Sequence, residues 1–196
     1  MKLIGLSSTG SSCRFVDSWI YSVLCCLKDC PEGKGMTRDD IEAVTGCDDD
    51  DLKEMLAVIR SLDVVRINSG FVMLTEYGRQ LVCSLPIRIV CFPHTRYVIG
   101  NHQCGVVIHG VSGKVTNGIL QRNCAVRAGA RGASVFVRIH DNIFMPPEWR
   151  MEFFDPELAD AMRKEGVCNE DVVIIAGADT KADARNAAVS AALETL

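Results

Sequence analysis

The chain lacks the features of several large functional classes. Its longest apolar run, Trp19–Leu27, is far too short to span a bilayer, so no membrane segment and no membrane partner are expected. A phosphate-binding loop, a complete dinucleotide-binding glycine motif and a paired-carboxylate motif are all missing. The net charge of −4 gives no basic footprint for nucleic acid over the whole chain. No cofactor is therefore predicted, and an enzyme is kept only as an alternative.

Ten cysteines are present, but they show no regular framework of disulfide spacings, and no signal peptide opens the sequence. We therefore expect reduced thiols in a cytoplasmic protein. Cys25, Cys26, Cys83 and Cys91 lie within apolar stretches, where a free cysteine behaves as a small hydrophobic residue. These four cysteines are predicted to be packing residues.

Charge is distributed unevenly along a chain that is long enough for two compact domains. Residues 1–84 carry nine Lys and Arg against thirteen Asp and Glu, whereas residues 85–196 carry twelve of each. Pro86 marks the junction. We predict an α+β protein, with an N-terminal winged helix-turn-helix domain over residues 1–84 and a C-terminal α/β sandwich domain over residues 85–196.

The first two helices of the N-terminal domain follow from apolar spacing and capping signals. A broad apolar face through Trp19 and Leu27 predicts the first helix, with Ser11 or Ser12 as its cap. Thr37 and Asp40 resemble a capping box for a short second helix that ends near Gly46.

A third helix and a hairpin complete the winged-helix pattern. The helix begins at the acidic run 48–51, and its inward stripe is Leu52, Met55, Leu56, Ile59 and Leu62. This spacing leaves Asp50, Lys53, Glu54, Ala57, Arg60 and Ser61 facing outward. A hairpin turned at Asn68-Ser69-Gly70 leads into Leu-Thr-x-x-Gly-Arg at residues 74–79, at the distance typical of winged-helix regulators.

The third helix should read DNA in such a module, but its charge argues against that use. The segment 48–63 has six acidic residues against Lys53 and Arg60. If the module binds DNA, we predict contacts from Lys53, Arg60, Arg66 and Arg79. The aspartates equally fit plain helix caps, or a surface that docks on a basic protein face, including the cationic half of the second domain.

The second domain is predicted to contain strands at 87–92, 97–100, 105–109, 133–140, 143–145 and 171–176, with a hairpin turn at Asp141-Asn142. Helices are predicted at 115–128, where Gly129 acts as the C-cap, at 155–165 and at 180–196.

The stretch from Leu85 through His140 contains no Asp or Glu. Its seven cations are Arg88, Arg96, Lys114, Arg122, Arg127, Arg131 and Arg138. These charges either neutralise the nine acidic residues of 141–171 or form an anion site. Gly177 and Asp179 join a strand to a helix, where open α/β sheets commonly bind ligands, although Asp179 is also a candidate helix cap. The predicted ligand residues are Gln121, Arg122, Arg127, Arg131, Gly177 and Asp179.

Histidine and cysteine residues give weaker signals. His102 and Cys104 fall on one face of a regular strand, near His94 and His109, but the spacing matches no standard zinc motif, so no metal site is predicted. Cys104 or Cys124 would need an adjacent base to act as a nucleophile, and the sequence shows none.

Three segments carry a resemblance to a known family: Asn117-Gly118-Ile119-Leu120-Gln121-Arg122-Asn123-Cys124-Ala125-Val126-Arg127-Ala128-Gly129-Ala130-Arg131-Gly132-Ala133, Met145-Pro146 and Asp171-Val172-Val173-Ile174-Ile175-Ala176-Gly177-Ala178-Asp179. The chain resembles, over nearly its whole length, an uncharacterised archaeal family. The resemblance implies an N-terminal winged helix, a C-terminal α/β domain and a role as a transcriptional regulator. That family has an acidic residue where Asn123 stands, so the resemblance assigns no role to this position.

The leading hypothesis is a homodimeric one-component regulator, whose winged helix contacts double-stranded DNA and whose second domain binds a small anionic metabolite. One alternative is a winged-helix module for protein interaction or dimerisation without DNA binding. The other is an enzyme that acts on a small anionic substrate.

Overall fold

The computed structural model describes residues 17–31 and 34–196. The boundary between two compact units falls between Leu85 and Pro86. The α-helices are α1 (Asp17–Asp29), α2 (Arg38–Thr45), α3 (Asp49–Ser61), α4 (Glu76–Ser84), α5 (Ile119–Arg127), α6 (Met151–Phe154), α7 (Pro156–Lys164) and α8 (Lys181–Thr195). The strands are β1 (Val65–Asn68), β2 (Phe71–Leu74), β3 (Ile87–Val90), β4 (His102–Ile108), β5 (Gly132–Ile139), β6 (Asn142–Met145), β7 (Trp149–Arg150) and β8 (Val172–Ala178). Both units combine helices with antiparallel strands, and the predicted α+β class is confirmed.

Capping side chains set the start of α2 and α3, as predicted. The Thr37 hydroxyl accepts from the Asp40 N–H, the Asp40 carboxylate accepts from the Thr37 N–H, and Gly46 ends α2 with φ of 71°. Asp48 caps α3 by accepting from the N–H groups of Asp50 and Asp51. The predicted caps of α1, Ser11 and Ser12, lie outside the described residues.

The inward stripe of α3 is confirmed for four of its five residues. Leu52, Met55 and Ile59 are fully buried and Leu56 is 6% exposed. Leu62 is 37% exposed, so its predicted inward position is wrong. It lies beyond the last helical residue, as the C-cap, where the helical spacing no longer applies.

The contacts that Thr75 and Gly78 make between the hairpin and α4 give the physical reason for the Leu-Thr-x-x-Gly-Arg pattern. Strands β1 and β2 pair antiparallel around Ser69 and Gly70, both at positive φ, as a two-residue hairpin turn requires. The Thr75 hydroxyl accepts from the Gly78 N–H at 2.9 Å and donates to the Asp63 carbonyl at 2.5 Å. A Cβ at Gly78 would lie 2.0 Å from the Val64 carbonyl oxygen. Glycine at 78 thus lets the first turn of α4 rest directly on the backbone that enters β1.

The C-terminal unit is built on a six-stranded sheet in the order β3-β4-β8-β5-β6-β7, with antiparallel neighbours throughout. Strand β8 lies between β4 and β5, and all seven of its residues are buried. Because both faces of β8 are covered, apolar side chains are favoured at every position, and this explains the apolar run from which the strand was predicted.

Alternate residues of the central strands face two different helical layers. On one face, Val107, Phe136 and Val173 join a core with Leu158 and Met162 of α7. On the other face, α8 packs against β4 and β8, and α5 packs against β5 and α8. The alanine-rich sequence of α8 suits this layer, because small side chains let a helix approach a sheet closely.

The strand predicted at 97–100 is wrong. Residues 91–100 contain no strand and cross one face of the sheet instead. A Cβ added at Gly177 would lie 2.4 Å from the Ile99 carbonyl oxygen, and a Cβ added at Gly100 would lie 2.4 Å from the Ala178 amide nitrogen. Branched residues gave Tyr97–Gly100 the composition of a strand, but this segment packs flat on the bare backbone of β8.

Smaller differences occur at other boundaries. The hairpin turn between β5 and β6 is His140-Asp141, with φ of 54° at His140, one residue before the predicted Asp141-Asn142. Helix α5 begins at Ile119 rather than near Val115, because its N-cap, Gly118, has a φ of 72°, outside the right-handed helical region. A short 3₁₀ turn occupies 112–114. Strand β7 and helix α6 were not predicted, since they contain only two and four residues.

Every helix within residues 17–31 and 34–196 is too short or too polar to cross a lipid bilayer. The nine cysteines of these ranges are all free thiols. The packing role predicted for Cys25 is confirmed, since Cys25 is buried, but Cys83 and Cys91 are exposed, so the same prediction is wrong for them. Burial raises the pKa of the Cys25 thiol to about 11.

Cysteine reactivity should follow this difference. The thiolate is the reactive form, and the raised pKa of Cys25 keeps its thiol protonated until the pH approaches about 11. Iodoacetamide applied to the native protein near neutral pH is expected to label Cys83, Cys91 and Cys168 and to spare Cys25, as read by peptide mass spectrometry. Denatured protein is the control, in which all sites should react. Equal native labelling of Cys25 and Cys83 would contradict the described burial.

Candidate functional site

The outer face of α3 consists of the residues that helical spacing leaves outside the core. All six predicted outward residues are exposed: Asp50, Lys53, Glu54, Ala57, Arg60 and Ser61. Acidic residues occupy the first turns of this face and Arg60 occupies the last. The face is therefore polar along its whole length and anionic at its start.

Ion pairs engage the cations near the start of α3. Lys53 lies 2.5 Å from Asp49 and 3.4 Å from Asp50, and Arg38 of α2 also bonds to Asp49. The hydrogen bond from Lys53 lowers the pKa of Asp49, and the same bond raises the pKa of Lys53. Glu54 forms no ion pair with any described residue. Lys53 thus does not escape the field of its neighbouring aspartates, and the start of α3 keeps a negative surface.

The other predicted DNA contacts lie on three separate elements. Arg60 is in the last turn of α3, Arg66 is on β1 and Arg79 is in the first turn of α4. All three are exposed, and none forms an ion pair within the described part of the chain. The hairpin that carries Arg66 also exposes Ile67 (42%) and Phe71 (46%). Apolar side chains at this hairpin suit a protein partner better than a phosphate backbone.

The predicted anion ligands at the end of β8 bind one another. The Arg131 Nε donates to both carboxylate oxygens of Asp179, at 2.8 and 3.0 Å, and this contact raises the pKa of Arg131. Gly177 is buried beneath the Ile99 carbonyl. Asp179 does not cap α8, as one interpretation had it, because Thr180 accepts from the Asp183 N–H and is the N-cap. The structure therefore brings Arg131, Gly177 and Asp179 together as a contact within the chain.

Helix α5 carries the remaining predicted ligand residues on two different sides. Gln121 is 4% exposed and faces the interior with Cys124 and Ala125. Arg122 and Arg127 are exposed, and Arg127 donates a hydrogen bond to the Cys124 sulfur, at 3.1 Å. Neither arginine forms an ion pair among the described residues, unlike Arg131.

The outer side of α5 is apolar at its centre, which the sequence reasoning missed. Ile119 is 54% exposed and Val126 is 42% exposed. At about 100° per residue, Ile119 and Val126 lie between Arg122 and Arg127 on the exposed arc, beside the exposed polar residue Asn123. Leu120, 63% exposed, lies just beyond Arg127. An apolar centre with a charged rim is the usual anatomy of a protein interface. The sequence could have indicated this exposure. Apolar residues occur on all sides of α5, but a helix that packs on one face of a sheet buries only one side.

The histidines do not converge. His102 and Cys104 lie two residues apart on β4, His94 contacts Gln103, and the His109 Nδ1 lies 2.9 Å from the buried Asp171 carboxylate. Asp171 also accepts from the N–H groups of Gly110 and Cys168, so it ties three loop segments together. Among the described residues, no three His, Cys, Asp or Glu side chains are placed to hold a metal ion.

Comparisons with known proteins give the chain a family and a fold. The family model described as "Domain of unknown function (DUF4443)" matches residues 99–196, half of the chain. A solved structure, "Hypothetical protein PH0730 from Pyrococcus horikoshii OT3", is similar with a TM-score of 0.68 and 21% sequence identity, over 89% of this chain and 91% of that chain. At this identity the likeness shows the fold alone. No curated protein matches the chain. The expected resemblance to an uncharacterised family is confirmed, and the similar solved structure is that of an archaeal protein.

Proposed function

The chain belongs to the DUF4443 family, and we propose that it is a protein-docking module that assembles two copies of itself. In this proposal the N-terminal unit is a winged helix whose third helix meets protein rather than DNA. One observation carries the proposal. The two cations near the start of α3, Lys53 and Arg38, both pair with Asp49, so the other acidic residues there keep the surface anionic. DNA repels such a surface, whereas a cationic protein face attracts it.

The outer side of α5 supplies a complementary surface on the same chain. Arg122 and Arg127 rim an exposed apolar centre and have no carboxylate partner among the residues that the structure describes. Of the five other cations of the acid-free stretch, two pair with carboxylates, Arg88 with Glu165 and Arg131 with Asp179. The other three, Arg96, Lys114 and Arg138, donate to backbone carbonyls. The α5 face therefore presents the unsatisfied positive charge that an acidic helix would bind.

The spacing of the charges on the two helices is compatible. Arg122 and Arg127 lie about 7.5 Å apart along the axis of α5, and Asp50 and Glu54 about 6 Å apart along α3. Ala57 follows Glu54 on the same side of α3, about one turn further along the helix, and its small side chain permits close approach of a second helix. We propose that α3 of one copy docks on α5 of another, with Ile119 and Val126 at the centre of the contact.

A dimer built in this way is closed by symmetry. Each copy offers one acidic helix and one basic helix, so a two-fold dimer contains the same contact twice. Neither face then remains open for further growth, and the net charge of the contact is close to zero. Such a contact is weakened by salt, because part of its attraction is electrostatic.

Sedimentation equilibrium at several salt concentrations tests this function together with a DNA titration. We expect a dimer that weakens as salt rises, and no salt-dependent binding to random duplex DNA at low salt. A protein that stays monomeric at all concentrations, or that binds DNA with a steep negative salt slope, would contradict the proposal.

A second candidate is the one-component regulator. It is favoured by the exposure of Arg60, Arg66 and Arg79, none of which is neutralised by a described carboxylate. In that function these side chains contact the phosphates of double-stranded DNA, and Arg122 and Arg127 bind a small anionic metabolite. The DNA titration decides between the two candidates, and loss of its salt slope in Arg66→Ala would identify the hairpin as the contact.

A further inference from the structure

A cavity of about 430 Å³ lies within the C-terminal unit, and none of its lining residues belongs to α5. One wall is the segment 93–96, and the other is the segment 154–158 at the start of α7. Ligand pockets in proteins usually enclose about 300–1,000 Å³, so this cavity is large enough for a small metabolite. None of the six residues predicted as ligand contacts lines it.

Both walls are held in place by the protein's own hydrogen bonds. The side-chain amide of Gln103 accepts from the Thr95 N–H at 2.9 Å and donates to the Thr95 carbonyl at 2.8 Å. The Asp155 carboxylate accepts from the Leu158 N–H at 3.0 Å. Arg96 connects the walls, because its Nη2 donates to the Phe154 carbonyl at 2.9 Å. The site is therefore formed before any ligand enters, which limits the entropy lost on binding.

The two walls carry opposite charges. Segment 93–96 contributes the Arg96 guanidinium, and segment 154–158 contributes the carboxylates of Asp155 and Glu157. Asp155 is used as a helix cap, whereas Glu157 is exposed and has no hydrogen-bond or ion-pair partner within residues 17–31 and 34–196. Arg96 uses Nη2 for the wall contact and for the Tyr97 hydroxyl at 3.3 Å, and its guanidinium carbon lies 5.4 Å from the centroid of the Tyr97 ring. A ligand with separated positive and negative groups matches this arrangement better than a simple anion does.

The remaining lining is apolar and aromatic. Leu158 is 4% exposed at the base of the wall, and Phe154 is 52% exposed. The Phe154 ring stacks on Trp149, with ring centroids 5.4 Å apart and planes at 26°. This stacking braces the ring of Phe154, which is one of the residues that line the cavity. An aromatic group of a ligand would gain from contact with it.

We propose that this cavity binds a free aromatic α-amino acid in its zwitterionic form. Arg96 binds the carboxylate, Glu157 binds the ammonium group, and the side chain packs against Phe154 and Leu158. None of the lining residues belongs to α3 or α5, so this proposal does not depend on the proposed dimer.

Isothermal titration calorimetry with L-phenylalanine tests the site. Two analogues each lack one charge: 3-phenylpropanoate has no amine and 2-phenylethylamine has no carboxylate. We expect each analogue to bind about tenfold or more weakly than the amino acid, because each leaves one charged wall unpaired. L-alanine, which keeps both charges but has no ring, should also bind more weakly.

Variants locate the binding. Glu157→Gln should weaken L-phenylalanine about tenfold or more without changing the melting temperature, because Glu157 makes no contact that the fold needs. Glu148→Gln, an exposed acid that does not line the cavity, is the matched control and should bind as the wild type does. Absence of binding by L-phenylalanine would overturn the proposal. Equal binding of 2-phenylethylamine, or full affinity in Glu157→Gln, would overturn it as well.

Discussion

Gly78→Ala is expected to lower the free energy of unfolding of the N-terminal unit by about 3 kcal/mol or more. The added Cβ would lie 2.0 Å from the Val64 carbonyl oxygen and 2.9 Å from its carbonyl carbon. Both atoms belong to the backbone that enters β1, so no side-chain rotation relieves the clash. Alanine favours a helix by only about 1 kcal/mol over glycine, and the clash therefore outweighs the helix propensity.

Urea denaturation followed by circular dichroism measures this loss. Gly113→Ala is the control, because a Cβ there meets no atom within 4 Å. The control should unfold at the wild-type urea concentration, whereas the Gly78→Ala transition should move to a much lower one. Equal midpoints for the two variants would show that α4 does not rest on Val64 in the way described.

Reversal of charge on α5 is the second large effect expected. The double variant Arg122→Glu and Arg127→Glu would place carboxylates against Asp50 and Glu54 of the second copy. An exposed ion pair alone contributes about 0–1 kcal/mol, but here two pairs change from attraction to repulsion in each of two contacts. We expect the dimer dissociation constant to rise about 100-fold or more, measured by sedimentation equilibrium.

A matched control separates this effect from net charge. Lys164→Glu with Lys181→Glu changes the total charge by the same amount at exposed positions outside α5. This control should dimerise as the wild type does. Equal weakening in both double variants would assign the effect to general repulsion between acidic chains and remove α5 from the interface.

Local signals predicted the N-terminal unit well. Helix α2 starts at the capping box of Thr37 and Asp40 and ends at Gly46, and α3 starts after its N-cap Asp48. The Ser69-Gly70 turn lies at the predicted position. Each of these features depends on residues within a few positions of one another. Propensity, capping and turn geometry are therefore sufficient to fix them.

Contacts between distant residues were beyond the same reasoning. Arg131 and Asp179 are 48 positions apart, and nothing in their spacing indicates that they neutralise each other. Ile99 lies across Gly177 because two glycines leave the sheet face open, although the residues around Ile99 have strand composition. The exposure of Ile119 and Val126 likewise depends on which side of α5 the sheet occupies.

The sequence reasoning chose the charged residues of α5 but did not identify the apolar residues exposed beside them. Arg122 and Arg127 were chosen as anion ligands, and they remain the unneutralised cations of α5. They are five residues apart and therefore lie about 140° apart round the helix. The same separation suits the two margins of a protein interface, once the apolar residues between them are known to be exposed.

The central proposal, docking of α3 on α5 of a second copy, is tested most directly by mixing two charge-reversed variants. One carries Arg122→Glu and Arg127→Glu, and the other carries Asp50→Arg and Glu54→Arg. Each variant alone sets like charges against each other and should sediment as a monomer, whereas an equimolar mixture restores opposite charges in both contacts. We predict a heterodimer with near wild-type affinity in the mixture. A mixture that remains monomeric, or variants that still dimerise alone, would contradict the proposal.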